Sequence, residues 1–145
     1  MRPWLFLAGA CALMGAVPGS EFAGVWVLNG EQSQIASLPT PVATRLEVLA
    51  EKGRVKCEAC GVGGWNFTVD GKASPHTAGG HRTNIQTKWE GSALLISAIV
   101  TGPKSHVVSD RWKLSRGGRT LTITRQVQRG LAESESTLVY DREGS

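Results

Sequence analysis

What this 145-residue chain lacks narrows it first. After Val17 no apolar run approaches the ~20 residues that a membrane-spanning helix needs. No segment reads as a helix of useful length. Thr40 to Ala50 contains helix formers, but its β-branched positions and the pair Pro39/Pro41 limit it to a short turn. Histidine is sparse, with three residues, and His76, His81 and His106 do not form a spaced ligand set. His106, near a turn, is expected at the surface. Ser109-Asp110 and a distant histidine lack the nucleophile elbow of a hydrolase. Gly61-Val62-Gly63-Gly64 precedes a strand rather than a helix, so it does not read as a phosphate cradle. Carboxylate pairs are scarce on the face that alternation turns inward. These absences predict a protein that is not an enzyme, with no catalytic residues, no cofactor and no metal site.

What is present begins with a leader. Met1-Arg2 brings one positive side chain, Trp4 to Val17 is almost wholly apolar, and Pro18-Gly19-Ser20 supplies small and turn-forming residues. That is the layout of a secretory signal peptide. It predicts a leader over residues 1–19, one domain over residues 20–145, and a periplasmic or extracellular product. Leu7-Ala8-Gly9-Ala10-Cys11 offers a rival, a lipoprotein anchored through Cys11. Its Leu stands one place too early for a lipobox, and the apolar run before Cys11 is short.

From Phe22 onward the pattern alternates. Phe22, Gly24, Trp26 and Leu28 share one face, as do Leu46, Val48 and Ala50, and then Trp65, Phe67 and Val69. Ile85, Thr87 and Trp89 follow, then an apolar run from Ala93 to Val100. Val108, Asp110, Trp112 and Leu114 alternate with polar residues, as do Leu121, Ile123 and Val127. Leu138 and Tyr140 close the series. Period two over many short segments is the signature of antiparallel sheet. Lys52-Gly53, Asp70-Gly71, Glu90-Gly91, Gly102-Pro103, Arg116-Gly117-Gly118 and Arg129-Gly130 punctuate it as hairpin turns. The expected fold is all-β, an antiparallel up-and-down barrel of about 8–10 strands, which removes exposed edges; a sandwich is the alternative. Lys72 to Gly80 reads as a loop at the barrel mouth. Gly30 to Pro41 reads as a connection lying across one end.

The formal charge is +4, and Lys104, Arg111, Lys113, Arg116, Arg119, Arg125 and Arg129 crowd one stretch. This reads as a solvated pair of strands protected against edge pairing, with an anion-binding patch as the other reading. No aromatic interleaving supports nucleic-acid stacking, so nucleic acid is not an expected partner, nor is stable membrane insertion. A monomer is expected.

Four motifs, in order, carry a resemblance. Phe22-x-Gly24-x-Trp26-x-Leu28-Asn29 follows directly on the leader. Val69-Asp70-Gly71-Lys72 with Pro75 comes next. Trp112-Lys113-Leu114-Ser115 is followed by Gly118-Arg119-Thr120-Leu121-Thr122-Ile123-Thr124, and Val139-Tyr140-Asp141-Arg142 closes. Together they resemble small secreted bacterial lipocalin-like proteins of the calycin type. The resemblance implies a barrel with an internal cavity and no settled activity. It also implies that Gly24 and Trp26 are structural, with Trp26 packed at the closed end against an arginine of the last strands. Arg142 or Arg125 would take that part, in a cation–π contact worth ~1 kcal/mol.

The residues expected to line the interior are Trp65, Phe67, Ile85, Trp89, Ile96, Trp112, Leu121, Ile123 and Tyr140. Tryptophans in such a barrel either fill it or line a pocket, and alternation does not separate the two. Arg125 has the parity of Leu121 and Ile123 and points inward with them. There it either pairs with Asp110 on the preceding strand or meets the carboxylate of a fatty acid or other anionic amphiphile, with the Tyr140 hydroxyl beside it. Cys57-Glu58-Ala59-Cys60 is read first as a disulfide, the default after export. Metal binding with His76 and His81, or a free or redox-active pair, are its rivals. The function expected is non-catalytic binding of a small, mainly apolar or amphiphilic ligand. A protein-interaction module with a filled barrel is the alternative, and metal or redox handling through Cys57 and Cys60 the third.

Overall fold

The computed structural model describes residues 17–36 and 42–144. The apolar leader up to residue 16, including Cys11, lies outside the described residues, as do Pro39 and Pro41. Alternation turns into strands wherever one face can be buried. The strands are β1 (Gly24–Leu28), β2 (Arg45–Glu51), β3 (Arg54–Cys57), β4 (Trp65–Thr68), β5 (Ser74–Ala78), β6 (His81–Glu90), β7 (Ala93–Thr101), β8 (His106–Leu114), β9 (Thr120–Arg129) and β10 (Ala132–Arg142). Short 3₁₀ turns at Ser20–Phe22, Gly30–Gln32 and Glu58–Cys60 complete the described elements.

All ten strands form one sheet in the order β4-β3-β2-β1-β10-β9-β8-β7-β6-β5, and every pairing is antiparallel. Each strand pairs with the next in the chain except β4 with β5, and β1 meets β10. The two ends of the sheet, β4 and β5, approach each other without a backbone ladder. Side chains of β5 and β6 bridge the gap to β4 and the residue after it instead. Thr68 N–H donates to Ser74 Oγ at 3.2 Å, Thr87 Oγ1 donates to the Thr68 carbonyl at 3.0 Å, and Trp89 Nε1 donates to the Val69 carbonyl at 3.2 Å. The result is an up-and-down barrel with one seam.

Two connections differ from expectation. Residues Lys72 to Gly80 are not a free loop, because Ser74–Ala78 pairs with β6 as an edge strand. Pro75 hides it in the sequence, yet a proline without N–H is tolerated at a sheet edge. The described part of the segment after β1, residues 29–36, does not lie across an end; it continues along the edge of β10. Gln34 exchanges backbone bonds with Thr137 at 2.8 Å, and Ser33 Oγ accepts from Val139 N–H at 2.9 Å.

The two sides of the barrel are unequal. β6 to β10 run 9–11 residues each, whereas β1 to β4 run 4–7. The inward residues of both walls merge into one buried cluster. Phe22, from the turn before β1, enters this cluster and meets Trp112 edge-on at 5.6 Å, while Phe67 meets Trp112 at 6.4 Å. Burial of each such aromatic contributes roughly 2–3 kcal/mol.

Candidate functional site

At the base, the alternation of β10 turns Arg142 over the face of Trp26, 4.2 Å from the ring centroid. Trp26 Nε1 is satisfied by the Phe22 carbonyl at 2.9 Å. The guanidinium donates to the carbonyls of Ala23 (2.7 Å), Gly118 (2.9 Å) and Glu21 (3.0 Å), tying three segments together. Gly24 makes room for it. A Cβ there would stand 2.7 Å from Arg142 Nη1, and its φ of +139° disfavours any side chain.

Higher in the barrel, Arg125 and Asp110 are register partners. Arg125 Nε and Nη2 each donate to Asp110 at 2.7 Å, a bidentate pair. Asp110 Oδ2 also accepts from Trp112 Nε1 at 3.0 Å, and Arg125 Nη2 donates to the Cys60 carbonyl at 3.1 Å. The two side chains are 12% and 0% exposed, so this pair belongs to the core. Burial pulls the Arg125 pKa down, but the charge and hydrogen bonds of Asp110 outweigh it and hold the guanidinium above its ordinary value. Arg125 also lies 5.3 Å over the ring of Trp65. Trp65 Nε1 is buried with no acceptor and faces Gly61, where any side chain would collide with the indole. Tyr140 donates to the Ala43 carbonyl at 2.8 Å. Burial, aided by Asp110 and opposed by Arg125, raises its pKa to about 12.

Cys57 and Cys60 form a disulfide across the Glu58–Cys60 turn, which gives the bond the reversal that a straight strand would deny it. His76 lies on β5, and His81 opens β6 with Nδ1 on the Gly79 carbonyl. Among the described residues no three or more His, Cys, Asp or Glu side chains gather as a metal site. His106 departs from expectation. It is buried at 6% exposure, because it opens β8 on the inward parity and its Nδ1 pairs with the Lys104 carbonyl at 2.7 Å.

Of the residues expected to line the interior, Trp65, Phe67, Ile85, Ile96, Trp112, Leu121, Ile123 and Tyr140 all join the buried cluster, and half-buried Trp89 packs against it. They touch one another, with Trp65 and Phe67 at 6.3 Å and Phe22 and Trp89 at 6.3 Å.

The barrel is lipocalin-like. The chain matches no protein-family model and no curated protein. Among solved structures, it is similar to a secretory abundant heat soluble (SAHS) protein from Ramazzottius varieornatus. The superposition has a TM-score of 0.60 at 15% identity and covers 86% of this chain and 97% of that one. Identity this low carries the fold and nothing finer.

The outer wall holds a feature that alternation did not point to. A cleft of about 550 Å³ crosses the outside of the long wall from β6 to β10. Register explains it. Gln86, Ser97, Ser109, Gln126 and Glu135 stand in one cross-strand row, and Lys88, Leu95, Arg111 and Thr124 stand in the next. Two facing serines form a low floor, and longer side chains rise around them. Ile96, Asp110 and Thr87 also border the cleft, but each lies on the inward parity of its strand. A second cleft, of about 590 Å³ at the base, is walled partly by Val17 and Pro18. A third, of about 300 Å³, follows the seam beside Asn66, Ser74 and His76.

Proposed function

We propose that this chain is an exported, non-catalytic binding barrel that carries a small amphiphilic ligand in the periplasm or outside the cell. The ligand sits in the outer cleft of the long wall, and the aromatic interior serves as the core that keeps that wall rigid. The observation that carries this reading is the cleft itself: its volume of about 550 Å³ falls in the range of small-molecule sites. It is built from strand residues with paired backbones, so it is largely preformed. The base cleft is a weaker choice, because Val17 and Pro18 fall within the proposed leader. The polar outer rows favour a barrel in water over one facing lipid, since a lipid-facing wall would be apolar.

A second reading, a ligand inside the barrel, draws on the buried Trp65 Nε1 that lacks an acceptor. A ligand carboxylate at Arg125 would have to compete with Asp110, already bidentate at 2.7 Å.

Titration calorimetry with a panel of medium-chain alkyl ligands tests the site. Ser109→Trp fills the outer floor without touching the core and is expected to abolish binding while leaving the unfolding midpoint unchanged. Retained binding in this variant, together with loss in Arg125→Met/Asp110→Leu, would move the site to the interior. Export is tested separately: the processed protein is expected to begin at Ser20 by intact mass.

A further inference from the structure

Resting on the outer-cleft reading, we infer that the ligand carries one anionic headgroup (carboxylate, sulfate or phosphate monoester), and that Lys88 and Arg111 recognise it over the Ser97–Ser109 floor. The register places Lys88 beside Leu95 and Leu95 beside Arg111, so two cations straddle one apolar side chain. With neighbouring strands ~4.8 Å apart, the two cationic strands stand roughly 10 Å from each other across the sheet. A headgroup over the serines therefore lies within reach of both long side chains, and the Ser97 and Ser109 hydroxyls supply donors beneath it.

The charges favour this class. Lys88 makes no ion pair among the described residues. Arg111 is ion-paired through Nε with Glu90 at 3.2 Å, which orients the guanidinium, so Lys88 is the unpaired cation of the two rows among the described residues. The one acid whose side chain shares the outer rows, Glu135, stands at the far β10 end and accepts from Gln126 Nε2 at 3.2 Å. The Asp110 carboxylate is turned inward to Arg125 and adds no hydrogen bond on this side. Half-buried Leu95 offers the contact for a short apolar tail. The arginine that alternation first suggested for a ligand carboxylate, Arg125, is thereby replaced by a pair on the opposite side of the wall.

The experiment uses the full chain with decanoate, decyl sulfate and uncharged 1-decanol, all below their aggregation limits, at two salt concentrations. The two anions are expected to bind more tightly than decanol, with affinity falling as salt rises. Lys88→Met and Arg111→Met are each expected to weaken anion binding about fivefold, the scale of a single exposed ion pair, and to leave decanol unchanged. Equal affinity for all three ligands, each lost in Ser109→Trp, would overturn the anionic assignment and leave the outer cleft standing. Anion binding that is insensitive to Ser109→Trp, Lys88→Met and Arg111→Met would sink both. Lack of binding by every probe also counts against both.

Discussion

Arg142 and Arg125 sit on neighbouring strands, and each lies over a tryptophan. Their surroundings differ in kind. Arg142 meets three neutral carbonyls, two from the turn before β1 and one from the β8–β9 turn, and holds the base of the barrel together. Arg125 meets a carboxylate on the next strand and forms a neutral unit within the core. A cation satisfied by carbonyls acts as a tie between segments, and its removal leaves polar groups that water can reach at the barrel end. A buried cation satisfied by a carboxylate depends on that one partner. Each half of such a pair is costly alone, while the pair together contributes little beyond an apolar substitute.

The largest expected effect follows from that dependence. Asp110→Ala strands the Arg125 guanidinium and the Trp112 indole, and is expected to remove about 3–5 kcal/mol in urea unfolding. The double variant Asp110→Leu/Arg125→Met should recover most of this loss; a double variant as weak as the single would break the contrast. Arg142→Met comes next, at about 2 kcal/mol, because three carbonyl contacts are lost without leaving a buried charge. A loss larger than that of Asp110→Ala would reverse this order. Opening the Cys57–Cys60 bond with Cys57→Ser/Cys60→Ser is expected to cost about 2 kcal/mol or less, since the loop it closes is short. The same change frees the Cys60 carbonyl that Arg125 uses, so hydrogen exchange should rise around Arg125 and stay level around Arg142.

The smallest effect is a pH dependence. Tyr140 titrates near 12 in the folded chain, above its ordinary value of 10. The unfolded state therefore loses its proton first. Stability from the neutral phenol is complete below pH 10, drains between pH 10 and pH 12, and is gone above. Tyr140→Phe should flatten that portion of a stability–pH curve, and an unchanged slope would mean that another group is responsible.

Much of the barrel was legible because a half-buried strand writes its two faces into the sequence at period two. The inward parity of Arg125 could be read the same way, from Leu121 and Ile123. β5 could not. A five-residue edge strand with Pro75 and a following Gly79-Gly80 looks like a loop until its partner β6 is known. His106 was misplaced because nearness to a turn hid its membership of β8. The outer cleft was illegible for a deeper reason. Ser97, Ser109, Lys88 and Arg111 are ordinary solvent-facing residues taken singly, and only the register between strands sets them side by side. Register is a property of pairs of segments, and one strand read alone carries no trace of it.

The pairing of β1 with β10 bears on how the chain comes to be folded. From His81 to Arg142 each strand finds its neighbour within a hairpin, so that wall can assemble through local steps. β1 has no such option on one of its edges: its neighbour there, β10, follows it only after eight other strands. A chain delivered amino end first holds Trp26 uncovered by Arg142 until β10 has emerged, so the join between the two walls waits on that strand.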